Sequence, residues 1–479
     1  MGKWKQTGLV CAGLVGGILI SLQFSALAEK ETRVRLPVEE LRTFAEVFNA
    51  IKLGYVEPVE DKKLITHAIS GMLSNLDPHS AYLDADAFKD LQVGTQGEFG
   101  GLGIEVGMED GLVKVISPIE DTPADRAGIK SGDLIFKLDD TLVKGLSLSD
   151  AVKRMRGKPK TQIKLSILRK GEAKPIEITL TREIIKVQSV KSKLVEDGYG
   201  YLRITSFQEN TATAVVKHLN DLYKPGPLKG LVLDLRNDPG GLLNAAVGVS
   251  AAFLPARTLV TSTDGRTPDA KHQYFASPED YLRGNREDFL RALPPAARNV
   301  PMVVLINAGS ASASEIVAGA LQDHKRATVM GTTSFGKGSV QTIIPLPGST
   351  AIKLTTARYY TPSGRSIQAK GIEPDIVIEE TPNGTPSARL READLEHHLT
   401  NPSEKDETKS TTKAAPGKTP AKPAAQPQGK STAPADDDAN EPPSRELASK
   451  KDYQLRQALN HLKGLPLNDK QAQTDATKQ

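Results

Sequence analysis

Near the start of the chain Val38, Leu41, Phe44, Val47, Phe48 and Ile51 recur at three- and four-residue intervals. That spacing draws one apolar stripe along a helix. A second helical stretch runs from about Lys62 to Leu76. The first stripe faces either a core or a neighbouring subunit, and the sequence leaves both open. From residue 97 to 182 the period shortens to two. Segments 103–107, 112–116, 133–138, 163–168 and 176–180 read as short strands between glycine-rich turns, with one helix near Ser149 to Arg156. From residue 183 onward the apolar runs become continuous. Gly230 to Arg236 and Val303 to Ile306 read as strands buried on both faces, each leading through small residues into a helical pattern. After Val377 the pattern fails. Residues 381–450 are rich in Pro, Ala, Lys, Ser and Thr, with an acidic run at Asp436 to Asp438. Such a stretch cannot bury enough apolar surface to fold and is expected to be a disordered linker. Leu455, Ala458, Leu459 and Leu462 then make a short apolar face, predicting a helix over 451–466. Alone, so short a helix is marginal in water, so it is expected to dock on something.

The first residues carry export chemistry. Lys3 and Lys5 precede an apolar stretch from Leu9 to Phe24, and Ala26-Leu27-Ala28 supplies a small-x-small site. Residues 1–28 are therefore expected to be a signal peptide cleaved before Glu29, with an uncleaved membrane anchor as the alternative. Cys11 precedes most of the apolar stretch instead of following it, which argues against a lipoprotein. Because it is the only cysteine in 479 residues, an intramolecular disulfide and a cysteine-rich zinc site are both excluded. The net charge of +4 is small for this length, so nucleic-acid binding is not suggested.

The segment VVLINAGSASASEIVAGALQD (303–323) reads as strand, turn and helix, with hydroxyls at the helix N-terminus. Unpaired N–H groups there favour developing negative charge. A serine in such a turn needs a base to become a nucleophile. Of the 8 histidines, His324 is the nearest downstream. On the same helix it would lie about 18 Å from Ser312 at 1.5 Å per residue, out of hydrogen-bond reach. Lys337, in the glycine-flanked phrase SFGKGSV on a separate segment, is the better candidate.

The phrases N-x-G-S-A-S-A-S-E (307–315) and F-G-K-G-x-V-Q (335–341) resemble the carboxyl-terminal processing, or tail-specific, serine proteases. The resemblance implies Ser312 as nucleophile, Lys337 as general base and Gln341 as the residue orienting the lysine. Asp234 to Gly241 is similar to the family's D-L-R-x-N-P-G-G motif, with Asp238 in place of the usual asparagine. This turn implies an oxyanion hole from the amides of Gly241 and Ala313. Asp234 and Arg236 read as a structural pair. Leu76 to Leu83 also matches the family, and its Asp-Pro-His-Ser is turn chemistry, so His79 is not expected to be catalytic.

Residues 97–182 resemble a PDZ domain, most clearly in 117–128 and 131–135. Asp140 replaces the usual glycine, a matter of turn geometry. Gly101, Leu102, Gly103 and Ile104 would form the loop whose amides capture a peptide's terminal carboxylate, with the helix near Ala151, Val152 and Met155 as the other wall.

The expected fold is therefore a mixed α/β Ser–Lys protease core of ClpP/crotonase-like type (183–380). It carries an inserted PDZ β-sandwich (97–182) and an N-terminal helical region (29–95). The resemblance implies an exported, periplasmic endopeptidase without cofactor or metal, acting on proteins with exposed apolar C-termini. An adaptor, a homo-oligomer and inner-membrane association through an uncleaved N-terminus are further expectations. Two other classes compete with this reading. Intact Ser312, Lys337 and Gln341 argue against a catalytically dead peptide-binding scaffold. The export signal and PDZ-like segment argue against a crotonase-type acyl-CoA enzyme.

Overall fold

The computed structural model describes residues 36–119, 121–172, 174–284, 287–382, 384, 390–403, 447–449 and 451–467. The expected signal peptide and most of the expected linker lie outside the described residues. The chain divides into two compact units, Met1–Ser70 and Gly71–Gln479.

In the first unit α1 (Val38–Gly54) follows the apolar periodicity, with Glu39 and Glu40 in its first turn and Lys52 in its last. Those charges complement the helix dipole. The helix buries none of its residues, and Val38, Leu41, Phe44, Val47 and Ile51 are all exposed. The stripe therefore does not serve an internal core. α2 (Asp61–Ser74) follows.

In the second unit, after the end of α2, comes a turn in which Asp77 Oδ1 accepts the N–H groups of His79 and Ser80, each at 2.9 Å. β1 (Ala81–Leu83) comes next; at three residues it is too short for a period to announce it. α3 (Ala85–Gln96) starts with Asp84 accepting from the Ala87 N–H at 2.8 Å and ends at left-handed Gly97.

The PDZ-like region contains β2 (Glu98–Gly101), β3 (Ile104–Glu109), β4 (Leu112–Pro118), β5 (Leu134–Leu138), β6 (Thr141–Leu142), α4 (Leu148–Met155), β7 (Gln162–Leu168), β8 (Ile176–Thr181) and β9 (Glu183–Lys186). An antiparallel sheet runs in the order β3-β4-β5-β7-β8 with β6 beside β5, and β2 pairs with β9. Val113, Val115, Ile135, Ile163 and Leu165 pack with Ala151 and Met155 of α4 into one buried cluster. That is the face the alternation of two specifies.

The core is built from β10 (Val190–Glu196), β11 (Tyr199–Ile204), α5 (Thr211–Tyr223), β12 (Gly230–Asp234), α6 (Leu243–Phe253), β13 (Leu259–Gly265), β14 (His272–Phe275), β15 (Met302–Ile306), α7 (Ala313–Asp323), β16 (Thr328–Gly331), β17 (Ser339–Leu346), β18 (Thr350–Tyr360), β19 (Ile376–Val377) and α8 (Tyr453–Leu462). A central sheet runs β10-β11-β12-β15-β16-β19, parallel from β11 onward with β10 antiparallel at its edge. Leu231 and Leu233 of β12 join the cluster that includes α5, α6 and α7. Val232, between them, faces the cluster closed by Leu455, Ala458 and Leu459 of α8. Both faces of the strand are covered, which is why its sequence is uninterruptedly apolar. The C-terminal helix docks, as its short apolar face requires. A second, antiparallel sheet runs β1-β18-β13-β14 with β17 on β18.

Candidate active site

β12 and β15 are parallel neighbours, with Asp234 opposite Leu305, so the turns leaving their C-terminal ends lie side by side. Ligands of open parallel sheets gather at such ends. Asn307 Oδ1 accepts the Asn237 N–H at 2.9 Å across the two turns. Ser310 Oγ donates to the Leu235 carbonyl at 2.8 Å, and Ser314 Oγ donates to the Asp238 carbonyl at 3.0 Å. Both serines are fully buried, whereas Ser312 is half-buried. The three serines thus divide: two stitch the turns together and the middle one is only partly buried.

Ser312 has φ 55 and ψ −111, a conformation that a non-glycine residue holds only when its surroundings impose it. Gly240 is the opposing surface. A Cβ there would come within 2.6 Å of the Ala311 carbonyl oxygen and 2.9 Å of Ser312 Cβ, and its φ is 93. Only glycine lets the two turns approach this closely. The N–H groups of Gly241 and Ala313 make no hydrogen bond among the described residues, as two oxyanion donors require.

Glu315, which the sequence reading did not single out, holds the parts together. Its carboxyl is fully buried. It accepts the Ser312 N–H at 2.7 Å, the Ser334 hydroxyl at 2.6 Å, and the Gly336 and Lys337 N–H groups at 2.7 and 3.0 Å. One side chain thereby fixes the serine turn against the lysine segment. Burial pushes its pKa up to about 7, against those hydrogen bonds. The available signal was Ser312-x-x-Glu315, a capping box. Tyr359 also spans both parts. Its hydroxyl donates to the Lys337 carbonyl and adjoins the Ser312 side chain.

Burial depresses the Lys337 ammonium below its usual range, and Lys353 adds to this, while Glu392, Glu315 and Asp77 oppose it. The direction is the one a lysine base needs. Among the described residues Lys337 Nζ forms no hydrogen bond with Ser312 Oγ or with Gln341. The Gln341 amide donates instead to Ser339 Oγ at 3.0 Å and Thr355 Oγ1 at 3.2 Å. Thr355 Oγ1 in turn donates to Asp77 Oδ1 at 3.0 Å.

His79 does more than turn chemistry suggests. Its Nε2 lies 2.8 Å from Glu392 Oε2, and Glu392 Oε1 accepts from Gln368 Nε2 at 2.9 Å. Gln368 Oε1 accepts the N–H of Gly338, beside the lysine, at 3.0 Å. His324 sits at the far end of α7 with Nε2 2.7 Å from the Leu259 carbonyl. Asp234 and Arg236 do form a buried pair, at 2.6 Å.

The expected peptide-binding loop lies between β2 and β3. Leu102 is buried in the cluster of that region, and its carbonyl accepts the Ala124 N–H at 3.0 Å. Gly103 has φ 78 with Thr122 packed where a Cβ would stand. Ile104 begins β3, which pairs with β4 alone, leaving its other edge without a strand among the described residues.

Residues 198–378 match peptidase family S41, residues 100–180 match a PDZ domain, and residues 20–87 match the N-terminal domain of the activating protease CtpB. A carboxy-terminal-processing protease of Bartonella bacilliformis is 47% identical over 401 residues, covering 82% of this chain and 88% of that protein. The carboxy-terminal processing protease CtpA of Bacillus subtilis is 35% identical over 335 residues, covering 70% of this chain and 68% of that protein. Among solved structures, a photosystem II D1 C-terminal processing protease shares 30% identity at a TM-score of 0.40, covering 71% of this chain and 93% of that one.

Proposed function

Since the chain belongs to the carboxy-terminal-processing serine proteases of peptidase family S41, we propose that it cleaves with a Ser312–Lys337 dyad and selects substrates through the PDZ domain. Neutral Lys337 takes the Ser312 proton and the serine oxygen attacks a peptide carbonyl. The Gly241 and Ala313 amides receive the oxyanion, and water later hydrolyses the acyl-enzyme. One observation carries this reading. The carboxyl of Glu315 binds the serine amide and the lysine amide at once, at 2.7 and 3.0 Å, so a hydroxyl and a partly desolvated amine are held on opposing segments. The dyad hydrogen bond would form when substrate orders the Lys337 side chain, since such bonds often tighten only in the complex.

The unpaired edge of β3 suits an added strand from a substrate's end, with the 101–104 loop taking its carboxylate. The Lys3 to Ala28 pattern supports export, hence a periplasmic enzyme, held at the inner membrane if the segment is not cleaved. The exposed stripe of α1 supports self-assembly, and an adaptor could dock there too. Ser312→Ala and Lys337→Ala are each expected to abolish cleavage of an unstructured substrate with the circular-dichroism spectrum unchanged. Cleavage retained by folded Ser312→Ala would overturn the proposal.

A further inference from the structure

Asp238 opens the turn that faces the nucleophile. It has no exposed surface. Its Oδ1 accepts the Gly240 N–H at 2.8 Å, and Gly240 is the residue pressed against Ser312. Its Oδ2 is buried without any hydrogen-bond partner. The Ser314 hydroxyl adjoins the carboxyl but spends its proton on the Asp238 backbone carbonyl. A buried carboxylate with one bare oxygen is costly, and a neutral acid in the same place much less so.

We propose that Asp238 is a protonation-controlled positioning residue: neutral, it holds the Gly240 amide and with it the oxyanion turn, and ionised, it opposes the negative charge developing there. The proposal rests on Ser312 being the nucleophile. The charged groups that bear on Asp238 are Arg203 of β11, which favours its ionisation, and Asp234 of β12, which disfavours it. The Gly240 N–H also favours the anion. Burial outweighs them and pushes the group up to about 7. Arg203 is turned away from full service to Asp238, since its Nη1 is held by Asp234 Oδ2 at 3.1 Å.

Two consequences follow with definite sign. Because the folded-state value lies above the ordinary 3.8, the neutral group's contribution to stability is complete below that value and lost as pH rises through about 7. In the folded enzyme the oxyanion turn acquires its negative charge only as pH passes about 7, so cleavage should acquire an alkaline limb separate from any acid limb of Lys337.

The test compares full-length wild type, Asp238→Asn, Asp238→Ala and Glu315→Gln, using casein cleavage from pH 5.5 to 9.5 and urea midpoints from pH 4 to 9.5. Asn keeps the acceptor oxygen for Gly240 and cannot ionise. The ratio of kcat/KM at pH 9 to that at pH 6 should be larger in Asp238→Asn than in wild type by about tenfold or more. The wild-type urea midpoint should fall relative to Asp238→Asn between pH 4 and 7 and then run parallel. If Asp238→Asn does not fold, Asp238→Ala serves: lower turnover throughout, without the alkaline limb. An alkaline limb unchanged in a folded Asp238 variant, or one removed by Glu315→Gln alone, would overturn the proposal. Failure of the dyad reading shows separately, as activity in Ser312→Ala or a missing acid limb.

Discussion

Two seams of the second unit are made of different material. Where the PDZ domain meets α3, Lys153 pairs with Asp86 at 3.2 Å and Arg156 with Asp90 at 3.3 Å, all four side chains substantially exposed. Arg156 also lies over Phe99 at 4.7 Å. Where α8 meets the central sheet, Arg236 is buried and bonded at 2.6 Å both to Asp234 and to Asp452. Its Nη1 reaches Gln454 as well, at 2.9 Å. Exposed pairs contribute little and are screened by salt. Removing one member of a buried pair strands the other in low dielectric. The seam beside Asp234 is therefore costly to break, whereas the ion pairs under the PDZ domain contribute little to holding it.

The largest effect should come from the buried seam. Arg236→Ala leaves the fully buried Asp234 with Arg203, Tyr201 and the N–H of residue 236 but without the guanidinium that pairs with both of its oxygens, and should cost about 3–5 kcal/mol in urea unfolding. Asp452→Ala should cost clearly less, because Asp234 retains Arg236. A loss for Arg236→Ala no greater than that for Asp452→Ala would undo the distinction. Next is carboxylate capture by the PDZ domain. Amidating the C-terminus of an apolar-ended peptide should weaken binding to full-length Ser312→Ala by about ten- to a hundredfold, as for a charge-assisted hydrogen bond of about 1.5–3 kcal/mol. Equal binding of acid and amide would remove C-terminal recognition. The smallest effect belongs to the exposed seam: Lys153→Ala with Arg156→Ala should leave the melting temperature within about 1 °C of wild type. A drop approaching that of Arg236→Ala would show the PDZ seam to be as costly to break as the buried one.

What the sequence made legible follows from range. The strands at 230 and 303 declared themselves because both faces are buried, while Ser312 was singled out by the resemblance of residues 307–315 to a family motif. The exposure of α1 was not decidable, since an apolar stripe has the same period whether its partner is a core or another chain. The ties that organise the site run between distant positions. Glu315 reaches Lys337 22 residues on, and His79 reaches Glu392 across 313 residues. No local period encodes such pairs. Asp77 was readable as a turn former because its partners lie two and three residues away; its link to Thr355, and through it to Gln341, was not.

The most direct measurement is kcat/KM against pH for wild type and Lys337→Arg. If neutral Lys337 is the base, wild-type kcat/KM rises with pH as the depressed ammonium loses its proton. Lys337→Arg, which cannot become neutral, is then inactive at every pH with its fold intact. Near-normal turnover in Lys337→Arg, or a rising limb that vanishes in His79→Gln while Lys337 is untouched, would contradict it.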